Sequence, residues 1–326
     1  MKKSIFNKGK RGNISVIAAV SFAVVLVLCG LVIDIGSAYR QAAVLQTAAD
    51  SSSIAASSLL PVSILNVSKI TAVKARAREY ALKNGVDSGE IEDITLGGVI
   101  SGYYTTVEVS LNREVDYMFG RIAGIDGTVI SKESKAQVQS VKSSTEMVPL
   151  GIEKSSLANA VLMNNAQNVV VKYGAGDSTT GWFGAIDLDG VKGGGAKDYA
   201  TWLAYGYDGV INTGDFLFME NGNMAGPTQT AFTIRYNQCT HFSGQGGCTV
   251  DHFDPDCPRV VYLIVYEQIS TSSLKVVGFS PFVLVGTNKD AEIIASHVNV
   301  QTSEGTTVPV DAVNINFGLF KSRLIA

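Results

Sequence analysis

The segment CTHFSGQGGCTVDHFDPDCP, residues 239–258, holds the densest set of reactive side chains in this 326-residue sequence. It gathers Cys239, His241, Cys248, His252 and Cys257, with Asp251, Asp254 and Asp256 among them. Thiolate and imidazole are donors that zinc takes, but the spacing C-x-H…C-x3-H-x4-C fits no standard structural site. Three aspartates supply fewer oxygens than the roughly six to eight of a calcium cage. A disulfide is the remaining outcome, and an oxidising exterior favours it. The expectation is a disulfide-stapled loop, with no metal ligand and no cofactor.

Elsewhere the sequence offers little chemistry. His297 is the only other histidine, and Gly278-Phe279-Ser280-Pro281 lacks the G-x-S-x-G form of a nucleophile elbow. No phosphate-binding G-x-x-x-x-G-K-[ST] occurs, and the run Gly193-Gly194-Gly195 reads as a turn. No catalytic residue is named and no enzyme is expected. The chain carries 26 basic against 29 acidic side chains. A nucleic-acid partner is not expected, because phosphate binding needs a clustered basic face.

The elements that carry these residues begin with an anchor. From Gly12 to Val32 the chain reads GNISVIAAVSFAVVLVLCGLV, with no charge. Roughly 21 helical residues span about 30 Å, the thickness of a bilayer's hydrocarbon core. Lys2, Lys3, Lys8, Lys10 and Arg11 precede this run, and no acid appears before Asp34. Basic flanks stay in the cytoplasm. The expectation is a single-pass membrane protein with residues 1–12 as a cytoplasmic tail and its C-terminal bulk outside the cell. A cleaved secretory signal would have a shorter apolar region, so a retained anchor is expected. The helix should run over 13–58. Its outer half is rich in small residues, and Ala42, Ala48, Ala49 and Ala56 are candidates for a close helix contact. Two partners are open to them: the chain's own first domain, or a helix of another protein.

Residues 11–57 resemble the N-terminal segment of TadG-like proteins of Flp (tight-adherence) pilus assembly. The resemblance rests on Arg11-Gly12-Asn13, the apolar span, Asp34, Gly36, Tyr39, Leu45-Gln46, Ala48-Ala49-Asp50 and the Ala/Ser run that follows. Residues 79–142 are similar to the sequel in TadE/TadG-like proteins. The segments GWFGAIDLDG, GNMAGPT and CTVDHFDPDCPRVVYLIVY resemble an exported domain on Gram-positive relatives. The resemblance implies a membrane-anchored structural or assembly component of a Flp-type pilus system. Its partners would be the lipid bilayer and other pilus or secretion components. Prepilins of such systems are cut after a Gly that precedes an acidic residue by five positions; Gly12 is followed by Ile17 there, which implies no cut. A membrane-tethered adhesin or binding module is the alternative. The resemblance also points to Cys248–Cys257 as the disulfide. Pro255 and the aspartates between these cysteines read as a compact turn in agreement with it, and loop entropy separates the possible pairs by only about 0.5 kcal/mol.

The fold class expected is α+β: the long helix, a small α+β pilin-like domain over 59–145, and a mainly β domain, sandwich or barrel-like, over 146–326. The first domain reads as a helix capped by Ser68 and closed by Gly85, a strand over 103–111, a short amphipathic helix carrying Val115, Met118, Phe119 and Ile122, and a strand over 128–141. Tyr117 and Phe119 are expected to pack in its core. In the second domain, strands are expected at 168–172, 182–188, 215–219, 259–268, 274–284 and 308–317, with a short helix over 196–204. Residues 221–228 read as a shaped turn.

Overall fold

The computed structural model describes residues 14–172, 183–191, 195–220, 224–288 and 291–325. Helix α1, Ile14–Ser57, is continuous over 44 residues, a rod about 66 Å long. Protein packs against it only from Gly30 onward. Leu45, Ala48, Ala49 and Ala56 are fully buried there, as are Ser52, Ser53 and Ser57. These positions recur at helical spacing and form one stripe. The buried hydroxyls bond locally: Ser52 donates to the Ala48 carbonyl and Ser57 to that of Ile54. Small polar residues thus line an interior without orphaned groups.

That stripe packs on helix α2, Val67–Lys83, and on an antiparallel sheet. α2 is capped by Asn66, whose side chain accepts from the Lys69 N–H at 3.0 Å; the cap is therefore two residues before the expected Ser68. Val73, Ala77 and Ala81 face inward. Gly85, at φ +79°, takes the left-handed conformation that ends the helix. The sheet contains β1, Ile91–Gly97, β2, Thr106–Asp116, and β3, Gly127–Val141. Val107, Val109 and Leu111 on β2, with Ala136 and Val138 on β3, alternate toward the helices.

The second body is built from β4 (Leu150–Glu153), β5 (Val169–Lys172), β6 (Phe183–Asp187), β7 (Phe216–Met219), β8 (Val260–Gln268), β9 (Ser273–Thr287) and β10 (Ile293–His297). Their order is β7-β6-β4-β8-β9-β10-β5, and β7 also pairs with β9. The sheet therefore curls until five strands close on themselves, in keeping with the barrel-like expectation. β8 is apolar on both sides because both are covered. Val261, Leu263 and Val265 face α3 (Lys154–Asn164), α4 (Gly195–Tyr205) and α5 (Ala225–Asn237); Ile264 and Tyr266 face the interior of the curl. The expected turn at 221–228 is corrected in part: residues 225–228 open α5, and 221–223 lie outside the described residues.

The chain then returns. β11 (Val300–Gln301), β12 (Thr307–Pro309) and β13 (Leu319–Ile325) join the first sheet, with β13 antiparallel to β3. The strand expected over 308–317 is instead a short strand, a turn and a 3-10 turn at Asn314–Asn316. The last stretch of the chain thus belongs to the sheet under α1, and residues 142–145 are not where the chain leaves it for good. Ser57 Oγ lies 2.7 Å from Ser322 Oγ, tying the end of α1 to β13.

Candidate functional sites: the helix joint and the Cys-His cluster

Two places concentrate function-bearing side chains. The first lies where α1 emerges from the head. Asp34 is buried, and its carboxylate accepts three successive backbone N–H groups: Met118 and Phe119 at 2.9 Å, and Gly120 at 2.7 Å. Gly30 sits one turn earlier, and a Cβ there would fall 2.5 Å from Phe119 Cβ. The aromatic ring therefore needs glycine at this position. The loop that follows β2 is thus clipped to the rod twice, by a charge and by a close approach. The amphipathic helix expected here is a 3-10 turn, Gly120–Ala123, and Val115 belongs to β2. Phe119 packs on the rod, while Met118, Ile122 and Ile125 are exposed beside it.

Above the joint, Arg113 gathers three elements. It donates to Glu90 at 2.6 and 2.7 Å, to Gln41 Oε1 of α1 at 2.9 Å and to the Gly85 carbonyl at 2.7 Å. Its hydrogen bond holds the Glu90 carboxyl below the ordinary 4.5, against the opposing effect of burial.

Below the joint the rod is bare. Val16, Ile17, Phe22 and Val32 are each more than half exposed. The apolar stretch is long enough to cross a membrane, and almost none of it is buried by the rest of the chain. Lys2, Lys3, Lys8, Lys10 and Arg11 lie outside the described residues. Ala48, Ala49 and Ala56 are spent on the chain's own α2 and sheet; Ala42 is half-buried. Of the two partners open to the alanines, the chain's own first domain is the one that Ala48, Ala49 and Ala56 meet.

The second place is the loop between α5 and β8. The expected Cys248–Cys257 disulfide is not formed: Cys239, Cys248 and Cys257 are free thiols. Their sulfurs surround a common point with His241, all four donor atoms lying within 4.8 Å of one another. The loop's ends are brought together by two crossing arginines. Arg235 of α5 donates to the Pro258 carbonyl at 3.3 Å, and Arg259 donates back to the Tyr236 carbonyl at 3.1 Å while stacking on its ring. Cys239 and Cys257 meet for that reason, though 18 positions separate them. Cys257 is raised by burial; for Cys239 the backbone N–H of Cys248 and its other hydrogen bonds outweigh burial, and the thiol is lowered. His252 and the three aspartates do not join the group. His252 instead faces Thr249 at 3.1 Å and the Phe242 ring. Sequence spacing missed this convergence because the contacts that create it join the end of the loop back to α5.

The family comparison bears on the first place. Residues 12–59 match the Flp pilus-assembly TadE/G-like family. The matched span coincides with α1 and stops where the helix stops. No curated protein and no solved structure matches the chain.

Proposed function

We propose that this chain is a membrane-anchored component of a Flp-type pilus assembly system, which holds a folded head at the outer face of the cell membrane by helix packing. The observation that carries the reading is α1. One unbroken helix is bare and apolar over its first half, built into the head over its second, and coincides with the TadE/G-like match. A rod with no flexible linker transmits position and orientation from the bilayer to the head. The Asp34 clip fixes the head's height on the rod, and Met118, Ile122 and Ile125 would then rest near the lipid headgroups. The five basic residues before the span favour a cytoplasmic N-terminus. Its work is anchoring and packing against other pilus components, with no bond chemistry.

Topology is the direct test. Thr271 is exposed on the head. Intact cells carrying Thr271→Cys should react with a thiol reagent that cannot cross membranes, above the background of the unaltered chain. Reaction only after lysis would reverse the orientation. Pull-down of the full chain after cross-linking in cells should recover other pilus-assembly proteins; recovery of host-surface ligands alone would favour the adhesin reading.

A further inference from the structure

The Cys-His cluster does more than replace a disulfide. We propose that Cys239, His241, Cys248 and Cys257 bind one zinc ion in a closed, four-coordinate structural site. The donor set is three sulfurs and one imidazole, a common composition of structural zinc. Their mutual distances all lie within 4.8 Å, about 1 Å above the edge of a zinc tetrahedron at most, which is about 3.8 Å between sulfurs for Zn–S bonds of about 2.3 Å.

Three independent features surround the donors as a metal site requires. Each sulfur accepts one backbone N–H at 3.4 Å: Cys239 from Cys248, Cys248 from Asp254 and Cys257 from Arg259. Such bonds stabilise sulfur that carries negative charge, and a disulfide carries none. His241 is arranged in the same sense. Its Nδ1 is buried with no hydrogen-bond partner, and its Nε2 lies 3.8 Å from Asp254 Oδ2. An imidazole with one buried nitrogen unpaired and the other near a carboxylate is able to adopt the carboxylate–histidine–metal arrangement. The assignment makes Nδ1 the ligand atom. Finally, zinc with three thiolates and a neutral imidazole carries one net negative charge. Arg259 is buried at the site, donating to the carbonyls of Gly246 and Cys248, and its guanidinium supplies the opposite charge.

The site has a structural purpose. Residues 238–259 connect α5 to the central strand β8 with one 3-10 turn, Ser243–Gln245, along the way. A connection this long without elements of its own is uncommon, and it contributes few apolar side chains. Zinc would exchange the waters of its aqua ion for three sulfurs and one nitrogen, each thiol still protonated would lose its proton to solvent, and the binding energy would add to folding of the head.

The test uses the full chain, extracted in detergent with a histidine-free tag and without chelators. Metal analysis should find one zinc per chain. The protein refilled with Co2+ should show the intense visible ligand-field and sulfur-to-cobalt charge-transfer bands of a tetrahedral thiolate site. Cys257→Ser tests a buried donor but endangers the fold. His241→Ala changes a half-exposed residue, and it should raise the zinc Kd by about 100-fold or more and alter the cobalt spectrum while the head stays folded. His252→Gln lies outside the donor set and should retain the metal. A disulfide among Cys239, Cys248 and Cys257 in non-reducing peptide mapping would overturn the site. So would a zinc-free chain in which Cys239, Cys248 and Cys257 are all alkylatable, or metal loss in His252→Gln with retention in His241→Ala.

Discussion

The two halves of α1 share one backbone and face different surroundings. Along the N-terminal half, branched and aromatic side chains point in every direction and are left open by the rest of the chain: Phe22 and Ile17 are about two-thirds exposed. Along the C-terminal half, a single stripe of Leu45, Ala48, Ala49, Ser52, Ser53 and Ala56 is buried, and the opposite face is open. A helix apolar all round suits an environment apolar all round; a striped helix suits a one-sided core. The change along one rod, from no protein cover to a one-sided core, is therefore written in side-chain size and distribution, with Asp34 at the joint.

The sharpest way to break this comparison is a charge in the N-terminal half. Val24→Lys should cost insertion about 3 kcal/mol and move the chain from the membrane pellet toward the alkaline wash. Full retention would remove the case for a span. Next is added bulk in the stripe. Ala49 has no exposed surface, so Ala49→Leu should lower stability of the head by about 1–3 kcal/mol in denaturant titrations. The same change in the N-terminal half, Ala23→Leu, should stay within about 0.5 kcal/mol. Equal effects at the two positions would erase the distinction.

Arg113→Ala leaves Glu90 without its partner and should cost about 2 kcal/mol. The pH dependence has a definite sign. The folded Glu90 pKa lies below 4.5, so the pair's contribution is present above pH 4.5 and is lost as pH falls through the folded value. Arg113→Ala should therefore show a shallower acid limb than the unaltered chain. The smallest and most local effect belongs to the joint. Asp34→Ala should speed hydrogen exchange at the Met118, Phe119 and Gly120 amides with little change at β3, and unchanged amides there would dissolve the clip.

Much of this fold was legible in residue order. The apolar run and the small-residue run predicted α1 to within a residue at each end, because helical periodicity and hydropathy are local properties. The strand at 260–268 was equally plain, since a continuous apolar run needs cover on both sides. Helices α3 and α5 were missed. The α5 segment opens with Gly226 and Pro227, residues that mark turns as often as first helical turns, and its helical state is held by Phe232 and Ala231 packing into the head. The sequence favours Ser68 as the cap and the structure uses Asn66, because both residue types cap helices and only the hydrogen bond to Lys69 distinguishes them.

By itself, then, the sequence determined the long apolar helix, the small-residue stripe along its second half and the resemblance carried by residues 11–57. Each rests on neighbours along the chain. Tertiary structure alone decided three matters. β13 returns across the whole chain to the sheet under α1; the first five-stranded part of the second sheet closes through β7 and β9; and Cys239, His241, Cys248 and Cys257 come to one point. Those outcomes depend on contacts between residues far apart in the chain, such as Arg235 with Pro258 and Ser57 with Ser322. No spacing rule encodes them, because the distance between two side chains in a folded protein is set by the packing of the elements that carry them.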